Sequence, residues 1–105
     1  MAYRLKLSER ALREIGEAYE IYEGRVSGLG GDFLEAVSRQ VRLIAESPLL
    51  FAEIYRGVRR SLVSRFPYSV FYVLRGDLVS ILGVIHMSRS QRRWPRWPRD
   101  TKTKK

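Results

Sequence analysis

The chain has 105 residues, with 20 Lys+Arg against 11 Asp+Glu, a single histidine and no cysteine. Its length suits one domain with a modest core, and 45% hydrophobic with 30% charged residues is the balance of a folded chain rather than a disordered one. This composition excludes disulfides, cysteine-based zinc or iron–sulfur centres and multi-histidine metal sites. No apolar run reaches the length of a membrane span and the N-terminus lacks a signal-peptide pattern. The expectation is a cytoplasmic protein with no cofactor, no metal and no membrane partner.

Taken in chain order, Tyr3 to Leu7 alternates apolar and basic residues, the period of a half-buried strand. Ser8 follows as an N-cap, and Leu12, Ile15, Tyr19, Tyr22 and Val26 then recur at helical spacing and predict one apolar helix face. Five glutamates, at 9, 14, 17, 20 and 23, fall largely between them and read as the solvated side. Ser27 to Gly31 breaks the helix. Asp32 and Glu35 have capping-box spacing, and Phe33, Leu34, Val37, Val41 and Ile44 form a second apolar stripe that Pro48 should stop near Ser47. Two amphipathic helices joined by a short glycine loop make a hairpin.

Leu49 to Tyr55 reads as a connection, after which the period returns to that of strands: Val58–Val63, Phe66–Leu74 and Leu78–Ile85. Gly76-Asp77 is a two-residue hairpin signal. Arg75-Gly76-Asp77 also matches an extracellular adhesion tripeptide, which a tight turn explains by itself. Leu78–Ile85 is bulky and apolar on both sides, as a sheet-interior strand is, and Pro67 belongs at a strand start or at an unpaired position. The order strand–helix–helix–strand–strand–strand predicts an α+β domain with the helical hairpin packed on an antiparallel sheet. Residues 1–99 are expected to form that domain and 100–105 a basic, disordered tail.

Charge divides the chain. Met1–Tyr55 holds seven basic and nine acidic residues (−2), and Arg56–Lys105 thirteen basic and two acidic (+11). Such asymmetry points to a polyanionic partner, either nucleic acid or an acidic protein. Arg59, Arg60, Arg65, Arg89, Arg92, Arg93 and Arg96 lie on the sheet or its continuation, with Trp94 and Trp97 interleaved. The tryptophans either anchor the basic segment to the domain or present a binding surface. His86 closes the last strand. A histidine exchanges protons near neutral pH and arginines pair with phosphate oxygens, so His86 with Arg60, Arg65 and Arg89 suits RNA backbone cleavage. Equally, the arginines suit an acidic partner while His86 hydrogen-bonds at a strand end. Tyr68 and Tyr72 share one face of the middle strand and Phe71 the other, a pattern more typical of packing than of base stacking.

Three stretches together resemble a known family: Leu7-Ser8-Glu9-Arg10-Ala11, the run from Val58-Arg59-Arg60 to Arg65-Phe66-Pro67-Tyr68-Ser69-Val70-Phe71-Tyr72, and Val84-Ile85-His86-Met87-Ser88-Arg89. With Trp94 following, the chain resembles the RelE/ParE superfamily of type II toxin–antitoxin toxins, over about Tyr3 to Trp97. The resemblance implies a small toxin neutralised by a co-expressed, often acidic antitoxin. RelE-like members cut messenger RNA in the ribosome, whereas ParE-like members poison DNA gyrase. Phe66-Pro67-Tyr68 and the ending from His86 to Arg89 look closer to the ParE and plasmid-stabilisation branch. Arg60, Arg65, His86 and Arg89 stand roughly where RelE-like enzymes place site residues. The chain has no tyrosine after Tyr72 and no lysine between Lys6 and Lys102, and both departures weigh against the nuclease. A non-catalytic nucleic-acid-binding protein is the alternative from another class.

Overall fold

The computed structural model describes residues 3–89. The elements in order are β1 (Arg4–Leu7), α1 (Glu9–Arg25), α2 (Leu29–Glu46), β2 (Glu53–Tyr55), β3 (Val58–Leu62), β4 (Tyr68–Arg75) and β5 (Leu78–His86). The α+β class and the helical hairpin are as the sequence predicts, while the expectations on Trp94, Trp97 and the tail lie outside the described residues. No described helix is long and apolar enough to cross a membrane.

The sheet has five strands in the order β1-β5-β4-β3-β2. β2 through β5 form an antiparallel meander, and the Gly76-Asp77 turn closes its last hairpin with Arg75 opposite Leu78. The sheet as a whole is mixed, because β1 lies parallel to β5, Leu5 beside Val79 and Leu7 beside Ile81. A parallel pair needs a long crossover, and everything from α1 to β4 provides it. This makes β5 an interior strand, as its two apolar faces require. The stretch read as a connection contains β2, a three-residue edge strand with a register shift.

The helical hairpin packs on one face of the sheet. Its core unites Phe33, Val37, Val41 and Ile44 of α2 with Val70, Tyr72, Val79, Ile81 and Val84 of the sheet. Tyr72 is fully buried and donates its hydroxyl to the carbonyl of Pro48 at 2.6 Å, tying β4 to the end of α2. Burial raises the Tyr72 pKa, with Arg59 opposing. The opposite face carries a smaller cluster of Val58, Phe71 and Ile85.

Ser8 caps α1 as expected, accepting the Ala11 N–H at 2.9 Å. The buried face of α1 is rotated from the predicted one: Ala11 and Ala18 are buried with Ile15 and Tyr22 packed beside them, while Leu12 and Val26 are more than half exposed. The small alanines let α1 approach closely, which a search for large apolar residues overlooks. α2 begins at Leu29, three residues before Asp32, with Gly28 at φ 90 and no cap from its own side chain. Glu23 of α1 supplies that cap, accepting the N–H groups of Gly28 and Gly30 at 2.9 Å each. A Cβ on Gly30 would lie 2.7 Å from the Tyr19 ring, so this glycine sets the spacing of the two helices. α2 ends at Glu46 with Ser47 as C-cap, where Pro48 stops it.

Candidate functional site

β5 is regular up to Ile81. Opposite it, Phe71 pairs with Gly83 and Tyr72 with Ile81, so Leu82 is an extra residue, a bulge. Val79 and Ile81 point into the helix-side core, and the next residue to do so is Val84, three positions on. The bulge thus shifts the alternation by one residue. His86, directly across from Tyr68, comes to lie on the helix side of the sheet.

Side chains of α1 hold this irregular stretch. Ser8 donates its hydroxyl to the Leu82 carbonyl at 3.0 Å, and its N–H bonds to the Ile81 carbonyl. Glu14 accepts the Val84 N–H at 2.9 Å through one carboxylate oxygen and pairs with Arg10 through the other at 3.0 Å. Two of the five glutamates read as solvated, Glu14 and Glu23, therefore satisfy backbone donors. Nothing in helical periodicity singles them out.

The end of β5, the start of β4 and the last turns of α1 meet around an aromatic cluster. The Tyr22 ring centroid lies 5.1 Å from that of Phe66 and 6.2 Å from that of Tyr68, and the Tyr68 ring stands edge-on to His86 at 5.2 Å. Arginines border the cluster. The Arg25 guanidinium sits 5.9 Å from the Tyr22 centroid, and that of Arg65, at φ 74 in the β3–β4 turn, 5.9 Å from the Phe66 centroid. Arg89 reaches the Tyr68 hydroxyl, whose pKa is raised chiefly by burial, then by neighbouring Tyr22, with Arg89 and Arg25 opposing. His86 accepts the Ser88 backbone N–H at Nδ1 (3.1 Å), with the Ser88 hydroxyl 2.9 Å from the same nitrogen. A neutral ring accepting at Nδ1 carries its proton on Nε2. Between α1 and the end of β5 lies an open cleft of about 240 Å³ lined by Tyr22, Arg25, Tyr68, His86 and Arg89 among others.

The residues singled out from the sequence do not all converge. His86, Arg89 and Arg65 border this one region. Arg59 faces the helix side opposite Tyr72 and donates to the Phe51 carbonyl at 2.6 Å, a contact that ties down the β2 segment. Arg60, across from Phe71, is exposed on the other face of the sheet. Arg92, Arg93, Trp94 and Arg96 lie outside the described residues. Sequence reasoning missed Arg25, Tyr22 and Ser88. Arg25 ends a helix that looked purely structural, and only its stacking on Tyr22 connects it to the strand end. Among the described residues no cluster of three or more His, Asp or Glu could hold a metal ion.

No protein-family model matches the sequence, and no curated protein does. Solved structures do match. A chain of the chromosomal ParDE toxin–antitoxin system from P. aeruginosa superposes with a TM-score of 0.70, at 20% identity, over 81% of this chain and 96% of that one. The chain has the RelE/ParE toxin fold. The RelBE2 toxin–antitoxin complex of Mycobacterium tuberculosis matches at TM-score 0.60 and 20% identity, covering 82% and 92%. A mutant of the E. coli toxin RelE in the free state matches at 0.62 and 23%, covering 87% and 90%.

Proposed function

We propose that this chain is the toxin of a type II toxin–antitoxin module, neutralised by a cognate antitoxin, and that its target is DNA gyrase. The superposition on the ParDE chain, with the highest of the three TM-scores and 96% of that chain covered, carries the reading. The residues agree with it: the chain offers no lysine between Lys6 and Lys102 and no tyrosine after Tyr72. The basic end of the sheet gives an acidic antitoxin segment a surface of opposite charge.

Expression of the chain alone in bacteria is expected to arrest growth, and co-expression of a small acidic protein encoded beside it to restore growth. Abundant soluble protein without arrest rejects the toxin reading for that host. Supercoiling assays together with mapping of messenger RNA ends test the target. Inhibited gyrase with unchanged messenger ends supports the proposal; codon-positioned cuts with normal gyrase overturn it.

One observation favours a second reading, ribosome-dependent cleavage of messenger RNA. His86, Tyr68 and Arg89 stand together, giving a proton-exchanging ring, a protonated hydroxyl and a fixed cation at one place. On that reading His86→Ala and Arg89→Ala lower cleavage by at least tenfold while leaving the fold intact. Unchanged cleavage removes both from the site.

A further inference from the structure

The chain leaves the sheet at His86 and turns at once. Residues 87–89 form a helical turn, and the histidine that ends β5 is bound into it. His86 Nδ1 accepts the Ser88 backbone N–H at 3.1 Å and lies 2.9 Å from the Ser88 hydroxyl. A side-chain acceptor that takes the N–H two residues on is the means by which asparagine and aspartate close an Asx-turn. In this chain an imidazole stands in for the carbonyl. The substitution matters chemically. An amide carbonyl keeps its lone pair through neutral and mildly acidic pH, whereas an imidazole takes up a proton between about pH 8 and about pH 5.

Nδ1 is the nitrogen that the added proton must occupy, because the Ser88 N–H points at it and the neutral ring carries its proton on Nε2. In the imidazolium both ring nitrogens are donors. The Ser88 hydroxyl can rotate and accept the new N–H, but the Ser88 backbone N–H then faces a donor and loses its partner. The added charge also meets no opposite charge. α1 presents Tyr22 and Arg25, β4 presents Tyr68, Ser88 and Arg89 close the cleft from beyond the strand, and none of the residues lining it is acidic. Glu14 and Glu17 lie on a second cleft that Arg89 also borders, and Glu14 is paired with Arg10. Proton uptake therefore removes a bond from the turn and sets a cation beside Arg25 and Arg89. The turn carries Arg89, whose side chain reaches the Tyr68 hydroxyl. A closed turn built on neutral His86 is favoured at the upper end of the range and weakens as pH falls through it.

We propose that His86 is a proton-operated latch. Neutral, it holds residues 87–89 closed and Arg89 against Tyr68; protonated, it lets the turn open and Arg89 leave. The latch involves only groups of this chain and does not rest on the toxin reading, so the two fail independently.

The test is NMR of the isotopically labelled full chain, stepped between about pH 8 and about pH 5. At the upper end the ring nitrogens of His86 should show a bare Nδ1 and a proton on Nε2. As His86 titrates, the Ser88 amide and the cross-peaks between Arg89 and the Tyr68 ring should change with the same midpoint, the closed-to-open ratio falling by about fivefold. Amides of Val70 and Val79, both fully buried, should stay in place, which separates release of the turn from acid unfolding. His86→Asn keeps an acceptor without a titrating ring, so its Ser88 amide and Arg89 cross-peaks should hold the closed pattern throughout. Ser88→Ala keeps the backbone N–H and should retain the transition. A Ser88 amide and an Arg89 contact that do not move while His86 titrates overturn the proposal. So does the same transition in His86→Asn, its loss in Ser88→Ala, or a neutral His86 ring protonated at Nδ1.

Discussion

The two halves of β5 are held in different ways. From Leu78 to Ile81 the strand has a neighbour on each side, β1 and β4, and its side chains alternate without interruption. From Leu82 to His86 only β4 remains. On the other edge α1 takes the place of a strand, through the Ser8 hydroxyl on the Leu82 carbonyl and the Glu14 carboxylate on the Val84 N–H. The first half is anchored by apolar burial on a regular ladder. The second is shaped by two polar side chains around a bulge, and the shape is what turns His86 toward the cleft. Stability and site geometry thus reside in adjoining halves of one strand.

This contrast can be broken experimentally, starting where the effect is largest. Ile81→Ala in the first half removes a fully buried side chain and is expected to cost about 3 kcal/mol, read from the urea midpoint at constant slope. Ring signals of His86 should stay in place in the folded population. Glu14→Ala leaves the Val84 N–H without its partner and is expected to cost about 2 kcal/mol. Here the His86 and Tyr68 ring resonances should move. If Ile81→Ala shifts those resonances and Glu14→Ala does not, the division between the halves is wrong. Ser8→Ala removes both the α1 cap and the contact to Leu82 and should cost about 1 kcal/mol.

Alkaline pH probes the same boundary through protons. The pKa values of Tyr68 and Tyr72 are raised above the ordinary phenol, by burial first. The folded chain therefore holds these protons more tightly than the unfolded chain does. Stability is level below about pH 10, where both states are protonated, and falls as pH rises past the unfolded value toward the folded ones. Urea midpoints across that range should show the fall, less steeply in Tyr68→Phe.

The smallest effect belongs to the start of the first half. Asp77, in the hairpin turn, pairs with Arg4 at 2.9 Å with both side chains largely exposed. The hydrogen bond from Arg4 lowers the Asp77 pKa, so the pair contributes above the ordinary carboxylate range and its contribution is lost as pH falls through the folded value. Asp77→Asn should leave the neutral-pH midpoint unresolved from that of the parent chain. A large shift would mean that the turn, and not the ladder, secures this half.

Much of the candidate site was legible as residue types but not as a place. His86, Arg65 and Arg89 were visible as a histidine and arginines near strand ends, and they do gather at one end of the sheet. Arg60 sits on the same strand as Arg59 yet on the opposite face, because neighbouring strand residues alternate. Arg59 is spent on the Phe51 carbonyl. Arg25 gave no local signal, since its pairing with the cleft depends on Tyr22 packing against Phe66 and Tyr68 from other elements.

By itself the sequence determined the two helices, the stop at Pro48, the Gly76-Asp77 turn, the interior character of β5 and the division of charge, because periodicity and turn chemistry act within a few residues. The parallel pairing of β1 with β5, the α2 cap from Glu23, the bulge at Leu82 and its hold by Glu14 were decided only in the tertiary structure. Glu14 and Val84 are 70 positions apart. A carboxylate on a helix carries no local mark of the one distant N–H that a bulge leaves for it, and the helix has to be docked before that bond exists.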